Sequence, residues 1–214
     1  MRVLTGHLAE LWDGIQITLL ITVIGFAGAL VLGVLIAAAR ISPLSGLRAV
    51  GTAYVEAFQN IPLLVWLVIF VFALPVIGII YSLITTAIVV MILYHAAPVA
   101  EAVRTGVNTV AVGQGEAARA LGLSTMQTLR RVVMPQAVRA VVQPLGNIFI
   151  ALTMNTALAA AVGVVELTAA ANRVNLAEAQ PIAVFVGSGL VYMAITLVVG
   201  LGAGVLERRA ATKR

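Results

Sequence analysis

Four long segments without Asp, Glu, Lys or Arg limit what this chain can fold into. They cover residues 14–39, 57–100, 140–165 and 179–206 and contain 26, 44, 26 and 28 residues. A helix needs about 20 apolar residues to cross a hydrocarbon core about 30 Å thick. Lipid offers no partner for an unpaired backbone group, so these segments are predicted to be helices that span a membrane.

The composition excludes a soluble globular domain. Of the 214 residues, 62% are hydrophobic and 10% are charged, whereas a soluble domain carries about 25% charged residues. The 44-residue segment is too long for one crossing, and "ALPVIGII" at 73–80 supplies the Pro and Gly of a hairpin turn. We therefore predict an all-α polytopic membrane protein with five transmembrane helices. The chain has no cysteine, which excludes disulfides and thiolate chemistry.

The basic residues separate into two sets under a five-helix topology. Arg2 and Arg173 fall on one side of the membrane. The other side carries eleven: Arg40, Arg48, Arg104, Arg119, Arg130, Arg131, Arg139, Arg208, Arg209, Lys213 and Arg214. The positive-inside rule predicts an extracytoplasmic amino terminus (1–14) and a cytoplasmic basic tail (207–214). This separation accounts for the basic isoelectric point without a nucleic-acid partner.

A polar insert, "GQGEAARALGLSTMQTLRRVVMPQ" (113–136), interrupts the apolar sequence on the basic side. Gly122 suits the left-handed end of a first short helix. Ser124 with Gln127 three residues later predicts a capping box that starts a second helix, which we expect to end before Pro135. From the residues alone, two roles are open: an amphipathic pair lying on lipid headgroups, or a surface that docks another protein.

Separated motifs in this chain resemble those of one transporter family. "EAARALG" followed by "MPQA" is similar to the cytoplasmic EAA loop of ABC-importer permeases. The segments "YVEAFQNIPLLVWL", "AEAVRTGVNTVAVGQGEAARALGLS" and "MPQAVRAVVQPLGNIFIALTMNTALAAAVGVVEL" resemble the polar amino acid branch, most of all the glutamate-type permeases of actinobacteria. The resemblance covers roughly residues 15–206, in the order of the family.

The resemblance implies a type I importer fold (ABC transmembrane type-1) in a bacterial cytoplasmic membrane. The insert, about 113–135, would form coupling helices seated on a cytoplasmic ATPase dimer, and this reading is favoured over headgroup binding. The positions that match the coupling motif are Glu116, Ala117, Ala118, Gly122 and Pro135. ATP and Mg would bind the ATPase subunits, so this chain is expected to bind no cofactor and to be no enzyme by itself.

The same resemblance implies two further partners. One is an extracytoplasmic solute-binding protein, and the other is a second permease subunit. Family members often carry Lys where this chain has Met154. That difference favours a heterodimer over a homodimer.

Few polar side chains lie within the apolar segments. The candidate pathway residues are Asn60, Thr153, Asn155 and Thr156, although small polar residues also join helices. We expect His95 to be a neutral structural residue. No metal-ligand cluster is expected.

Glu101 and Arg104, three residues apart near the end of the third helix, are expected to form a helix-end ion pair, with a gating role as the alternative. The alternative for the whole chain is a secondary amino acid carrier driven by an ion gradient. Such a carrier needs intramembrane acids or broken helices.

Overall fold

A computed structural model describes residues 2–211, so Lys213 and Arg214 of the expected tail lie outside the described residues. Within this range there is no β-strand. The α-helices of the range are α1 (Arg2–Gly6), α2 (Leu8–Ile41), α3 (Ser45–Asn60), α4 (Leu63–Val68), α5 (Leu83–Asn108), α6 (Val112–Ala120), α7 (Thr125–Thr128), α8 (Met134–Asn155), α9 (Leu167–Glu178) and α10 (Pro181–Ala211).

Four helical segments of the described range are long and apolar enough to cross a membrane: Leu8–Ile41, Leu83–Asn108, Thr125–Val162 and Pro181–Val205. The fifth crossing is a pair, Ser45–Asn60 and Leu63–Ile77, bent by 99°. The all-α fold is thus confirmed, but the second span is broken rather than continuous. We call the end of the bundle that carries residues 112–133 the insert end and the opposite end the far end.

The break in the second span has a local cause. Pro62 disfavours the helical conformation for the residue before it, and Ile61 is extended with φ −102° and ψ 127°. Beyond α4 the chain passes through a π-helical turn, Ile69–Ala73, and a 3₁₀ turn, Leu74–Ile77. The left-handed Gly78 ends this segment, so the turn predicted at 73–80 is confirmed.

A stripe of small residues lets α2 and α5 pack closely along their length. Gly25, Ala29, Gly33 and Ala37 recur every four residues on one face of α2, and all are buried. A Cβ added at Gly33 would lie 2.5 Å from a methyl group of Val99 on α5. Since lipid gives helices no hydrophobic drive to associate, such close backbone approach is what holds them together.

The helix after the insert does not end before Pro135, contrary to the sequence prediction. Residues Thr125–Val162 form one continuous helical segment. The N–H of Met134 bonds to the carbonyl of Leu129, five residues back, within the π-helical turn Leu129–Val133. This wider turn places Pro135 in the first turn of α8, where its missing N–H costs little.

The segment around Arg173, between the fourth and fifth spans, is the helix α9. It lies at the far end, against α2. A Cβ added at Gly14 would lie 2.8 Å from the Cβ of Ala170. The N–H of Leu167 donates to Oγ1 of Thr18 at 3.2 Å. These contacts fix α9 as a cap on the bundle, with Arg173 exposed.

Candidate functional site: the insert and the polar contacts of the spans

A Schellman motif ends the first helix of the insert. Gly122 has φ +81°, its N–H bonds to the carbonyl of Arg119 at 2.9 Å, and the N–H of Leu123 bonds to that of Ala118 at 3.1 Å. A left-handed φ at this position favours glycine because a Cβ would be strained. The predicted glycine stop is therefore confirmed.

The second helix of the insert begins with the predicted capping box. Oγ of Ser124 accepts the N–H of Gln127 at 3.3 Å, and Oε1 of Gln127 accepts the N–H of Ser124 at 2.9 Å. One residue separates this cap from the Schellman motif at Gly122. The elbow between the two helices is therefore fixed by backbone hydrogen bonds on one side and by side-chain-to-backbone hydrogen bonds on the other.

The insert exposes an unusual amount of apolar surface for a polar segment. Glu116 and Ala117 are exposed on α6, whereas Ala118 is buried. Leu121 (83% exposed) and Met126 (69%) are exposed beside the elbow, and Val112 (77%) is exposed at the start of α6. Pro135 lies apart from this group, in the first turn of α8. Apolar side chains on a rigid protrusion mark a surface that another body covers.

Glu101 on α5 forms ion pairs both within its own helix and with α2. It accepts a hydrogen bond from Arg104 on its own helix and another from Arg40 at the end of α2. Both arginines are within ion-pair distance of the carboxylate. The sequence predicts only the contact with Arg104, because an i, i+3 spacing can be recognised in a sequence. A contact between residues 61 positions apart cannot.

A hydrogen bond within the bundle connects His95 on α5 with Asn155 on α8. Nδ1 of His95 lies 3.0 Å from the carbonyl oxygen of Met91. That oxygen can only accept, so Nδ1 carries the proton. Nε2 of a neutral ring is then an acceptor, and it lies 3.1 Å from Nδ2 of Asn155. The buried imidazole is satisfied as a neutral group, and Asn155 is its partner.

The other candidate pathway residues have different surroundings. Thr153 and Thr156 are fully buried, and their hydroxyls donate to the carbonyls of Phe149 and Thr153. Asn60 is exposed at the break in the second span and donates to the carbonyl of Glu56. Helix α4, just after the break, packs against residues 156–162. The break and the fourth span are therefore neighbours.

Glu166 is a buried polar residue that sequence reasoning missed. It is fully buried at the far end. Its oxygens accept the N–H groups of Thr168 and Ala169, both at 2.9 Å, at the start of α9. They also accept the hydroxyl of Tyr192 from α10 at 2.5 Å. A single Glu directly before "LTAAAN" is a weak signal, because Ser, Thr, Asp and Asn are the usual capping residues.

Among the described residues, no three His, Asp or Glu side chains gather in a metal-binding arrangement. Apart from Glu101 and Arg104, the candidate residues form two separate groups. One is the rigid, partly apolar insert at the insert end. The other is the polar group of the spans: Asn155 with its partner His95, Thr153 and Thr156 of the fourth span, and Asn60 at the neighbouring helix break.

Known proteins share this sequence and fold. A family described as binding-protein-dependent transport system inner membrane component matches residues 29–212. The chain is 36% identical over 209 residues to the probable glutamine ABC transporter permease protein GlnM of Bacillus subtilis, covering 98% of this chain and 97% of that protein. It is also 36% identical over 211 residues to the glutamate transport system permease protein GluC of Corynebacterium glutamicum, with 92% of each covered.

A solved structure gives the same result for the fold. The chain superposes on a crystal structure of an amino acid ABC transporter with histidines, with a TM-score of 0.91 and 27% identity over 96% of both chains. The family match extends from α2 to the end of the described helices and includes the insert. This chain belongs to the family of inner membrane components of binding-protein-dependent transport systems.

Proposed function

We propose that this chain is the membrane-spanning permease subunit of an ATP-driven importer for a polar amino acid of the glutamate or glutamine type. The proposal is supported by two relatives of nearly full coverage, whose names specify glutamine and glutamate. The insert couples the permease to a cytoplasmic ATPase dimer, which binds ATP and Mg. The carboxyl terminus is cytoplasmic, and the amino terminus lies outside.

The coupling role is carried by one observation: the insert is a rigid elbow with exposed apolar side chains. A surface that transmits movement must not deform, and hydrogen bonds fix the elbow on both sides of Leu123. Leu121 and Met126 offer apolar contact, and Glu116 offers a charge at the same protrusion. A headgroup-bound amphipathic helix needs no such elbow, so docking to a protein is favoured.

The pathway is assigned to the polar group of the spans. Asn60 lies at a helix break, where backbone groups freed from helical bonding can contact a solute. Asn155 is anchored by His95. Thr153 and Thr156 are buried in this subunit, so their participation requires a movement of α8 against its neighbours.

A second, non-identical permease subunit completes the pathway, and an extracytoplasmic binding protein delivers the solute. Met154 is 59% exposed and faces a groove that also contains Tyr192 and Thr196. A partner subunit with a basic residue at the matching position would supply the cation that this chain lacks.

The structure contains two features to weigh for a secondary carrier. They are the broken second span and the buried acid Glu166 at the far end. These features alone would not exclude ion coupling. The family match favours an ATP-driven system instead.

The decisive experiment uses the intact transporter, purified through a tag on this chain and reconstituted in proteoliposomes. We expect uptake of radiolabelled glutamate or glutamine that requires ATP on the ATPase side and is unchanged by ionophores that abolish proton and sodium gradients. Uptake that persists without ATP and stops with ionophores would establish the carrier instead. Uptake driven by ATP for another solute would retain the importer and reject the amino acid.

A further inference from the structure

Four aromatic side chains lie in a row along the broken second span, two on each side of the break. Tyr54 and Phe58 belong to α3, Trp66 belongs to α4, and Phe70 belongs to the π-helical turn after it. The ring centroids of Tyr54 and Phe58 are 4.6 Å apart, and those of Trp66 and Phe70 are 6.4 Å apart. Phe58 and Trp66 connect the two pairs: their centroids are 4.5 Å apart at an interplanar angle of 21°. This stack joins the two arms of the span.

The stack and the bend depend on each other. Phe58 and Trp66 are eight residues apart in the sequence, which corresponds to about 12 Å along the axis of a continuous helix. Rings separated by that rise cannot stack at 4.5 Å, so the contact exists because the span is bent by 99°. In return, the stack stabilises the bent arrangement, because an aromatic pair contributes attraction beyond the area that it buries.

Each arm of the span is anchored to a different part of the bundle. On α3, the hydroxyl of Tyr54 donates to the backbone carbonyl of Leu93 on α5 at 2.6 Å. On α4, Leu67 is fully buried in a cluster that also contains Ala159 of the fourth span. The stacked rings lie between these two anchors. They therefore connect the α5 side of the bundle with the end of the fourth span.

The position of Asn60 follows from the angle between the two arms. Its side chain is fixed to α3, because Nδ2 donates to the carbonyl of Glu56 at 2.8 Å. The next residue, Ile61, is already extended. Helix α4 begins at Leu63 and packs against residues 156–162. Any change in the bend would therefore move the Asn60 amide relative to the fourth span.

We propose that Phe58 and Trp66 form an aromatic clamp that holds the bend of the second span and thereby positions Asn60 at the solute pathway. The two rings act through Asn60 and are positioning residues. The role of Asn60 rests on the function proposed above, whereas the bend is a property of this chain alone.

The indole of Trp66 allows stacking to be separated from hydrogen bonding. Its Nε1 is buried and has no hydrogen-bond partner among the described residues. A buried donor without an acceptor does not stabilise the fold. Trp66→Phe keeps an aromatic ring against Phe58 and removes this donor, whereas Trp66→Leu removes the ring. A clamp that acts by stacking should tolerate the first substitution and not the second.

The first measurement is the distance across the bend, by double electron–electron resonance between two spin labels. Val50→Cys on α3 and Val76→Cys beyond α4 are suitable sites, because these side chains are 71% and 84% exposed. The chain has no cysteine of its own, and the transporter is assembled with cysteine-free partner subunits. We expect Trp66→Leu to shift the distances to longer values, because straightening the bend separates the arms. Trp66→Phe should leave them unchanged.

Phe26→Leu is the matched control for this distance. The ring of Phe26 on α2 contacts Phe149 on α8 with centroids 4.7 Å apart, so the variant removes an aromatic pair outside the second span and should not change the distance. Thermal unfolding shows which variants are folded, and Phe58→Leu takes the place of Trp66→Leu if the latter is not. An unchanged distance after loss of a clamp ring would overturn the clamp. So would a Trp66→Phe variant that behaves like Trp66→Leu.

The second measurement is the amount of amino acid transported per ATP hydrolysed in proteoliposomes. Trp66→Leu should lower this ratio by up to about tenfold, the factor that loss of one aromatic pair implies. A simple loss of folded protein would instead lower transport and hydrolysis together. In an Asn60→Ala background, Trp66→Leu should lower the ratio little further, because both changes act on the same group.

Two results of the transport measurement would show that the clamp does not position Asn60. One is a normal ratio despite a longer distance, and the other is additive effects of Trp66→Leu and Asn60→Ala. A parent transporter without ATP-driven amino acid uptake would reject the proposed function instead. The distance across the bend would still decide whether the clamp exists.

Discussion

The hydroxyl of Tyr192 on α10 donates to Oε2 of Glu166 across 2.5 Å, at the start of α9. Oγ1 of Thr168 lies 3.1 Å from the same hydroxyl. Because Glu166 also accepts two backbone N–H groups, its carboxyl oxygens are satisfied although fully buried. This contact links the last spanning helix to the cap at the far end.

Tyr192→Phe should destabilise the protein by about 1–3 kcal/mol, because it removes one donor from a buried acceptor. The measurement is thermal or denaturant unfolding of the purified protein in detergent. Tyr81→Phe is the control, since Tyr81 is 61% exposed and its hydroxyl should contribute little. Equal stability of the Tyr192 variant and the parent would show that Glu166 does not need this donor.

The contact between His95 and Asn155 should appear as a coupling between two substitutions. Asn155→Leu alone leaves Nε2 of buried His95 without its partner and should cost about 1–3 kcal/mol. His95→Phe combined with Asn155→Leu removes both polar groups, so the double variant should be less destabilised than the sum of the single variants. Additive effects would contradict the hydrogen bond. Uptake that falls in Asn155→Leu beyond its loss of stability would support a pathway role.

Glu116→Lys should reduce ATP-driven uptake by more than about tenfold, the usual effect of reversing a charge in a docked interface. Glu116 is exposed, so the chain should still reach the membrane in normal amounts. Gln114→Lys is the matched control, because Gln114 is also exposed on α6 but points away from the face of Glu116. Wild-type uptake in Glu116→Lys at equal expression would reject the coupling role of this residue.

The proposed orientation predicts which single cysteines can be labelled from outside the cell. The chain has no cysteine of its own, so the background is clean. An impermeant thiol reagent should label Ala177→Cys on α9 in intact cells and spare Thr125→Cys in the insert, both of which are exposed positions. In inverted vesicles the pattern should reverse. Labelling of Thr125→Cys from outside would place the insert on the wrong side for an ATPase.

Sequence patterns located the spans and the elbow because their causes are local. Runs without charge, the Gly122 stop and the Ser124 capping box each depend on neighbouring residues. The broken second span also had a local signal in "NIP", since Pro62 restricts Ile61. This signal does not show whether Pro62 only marks the start of a helix or breaks the span completely. The surrounding helices determine whether a bend of 99° is tolerated.

Contacts between residues that are far apart in the sequence could not be predicted. Arg40 contacts Glu101 across 61 residues of sequence, and Tyr192 contacts Glu166 across 26.

The sequence also does not show which glycines lie at contacts between helices. A Cβ added at Gly25, Gly28 or Gly33 would lie within 3.3 Å of a neighbouring side chain. At Gly189 and Gly202 an added Cβ would have no neighbour within 4 Å, and the sequence does not distinguish these glycines from the others.

The unbroken segment from Thr125 to Val162 has a mechanical consequence. At 1.5 Å per residue its 38 residues extend about 57 Å, further than the hydrocarbon core is thick. Because the helix continues through Pro135, the insert and the residues near Val162 belong to the same helical segment, and a movement of one end can be passed to the other. A tilt of about 5° at the elbow would displace the Val162 end by about 5 Å over this length. Such a displacement would move Thr153, Asn155 and Thr156 together relative to α5.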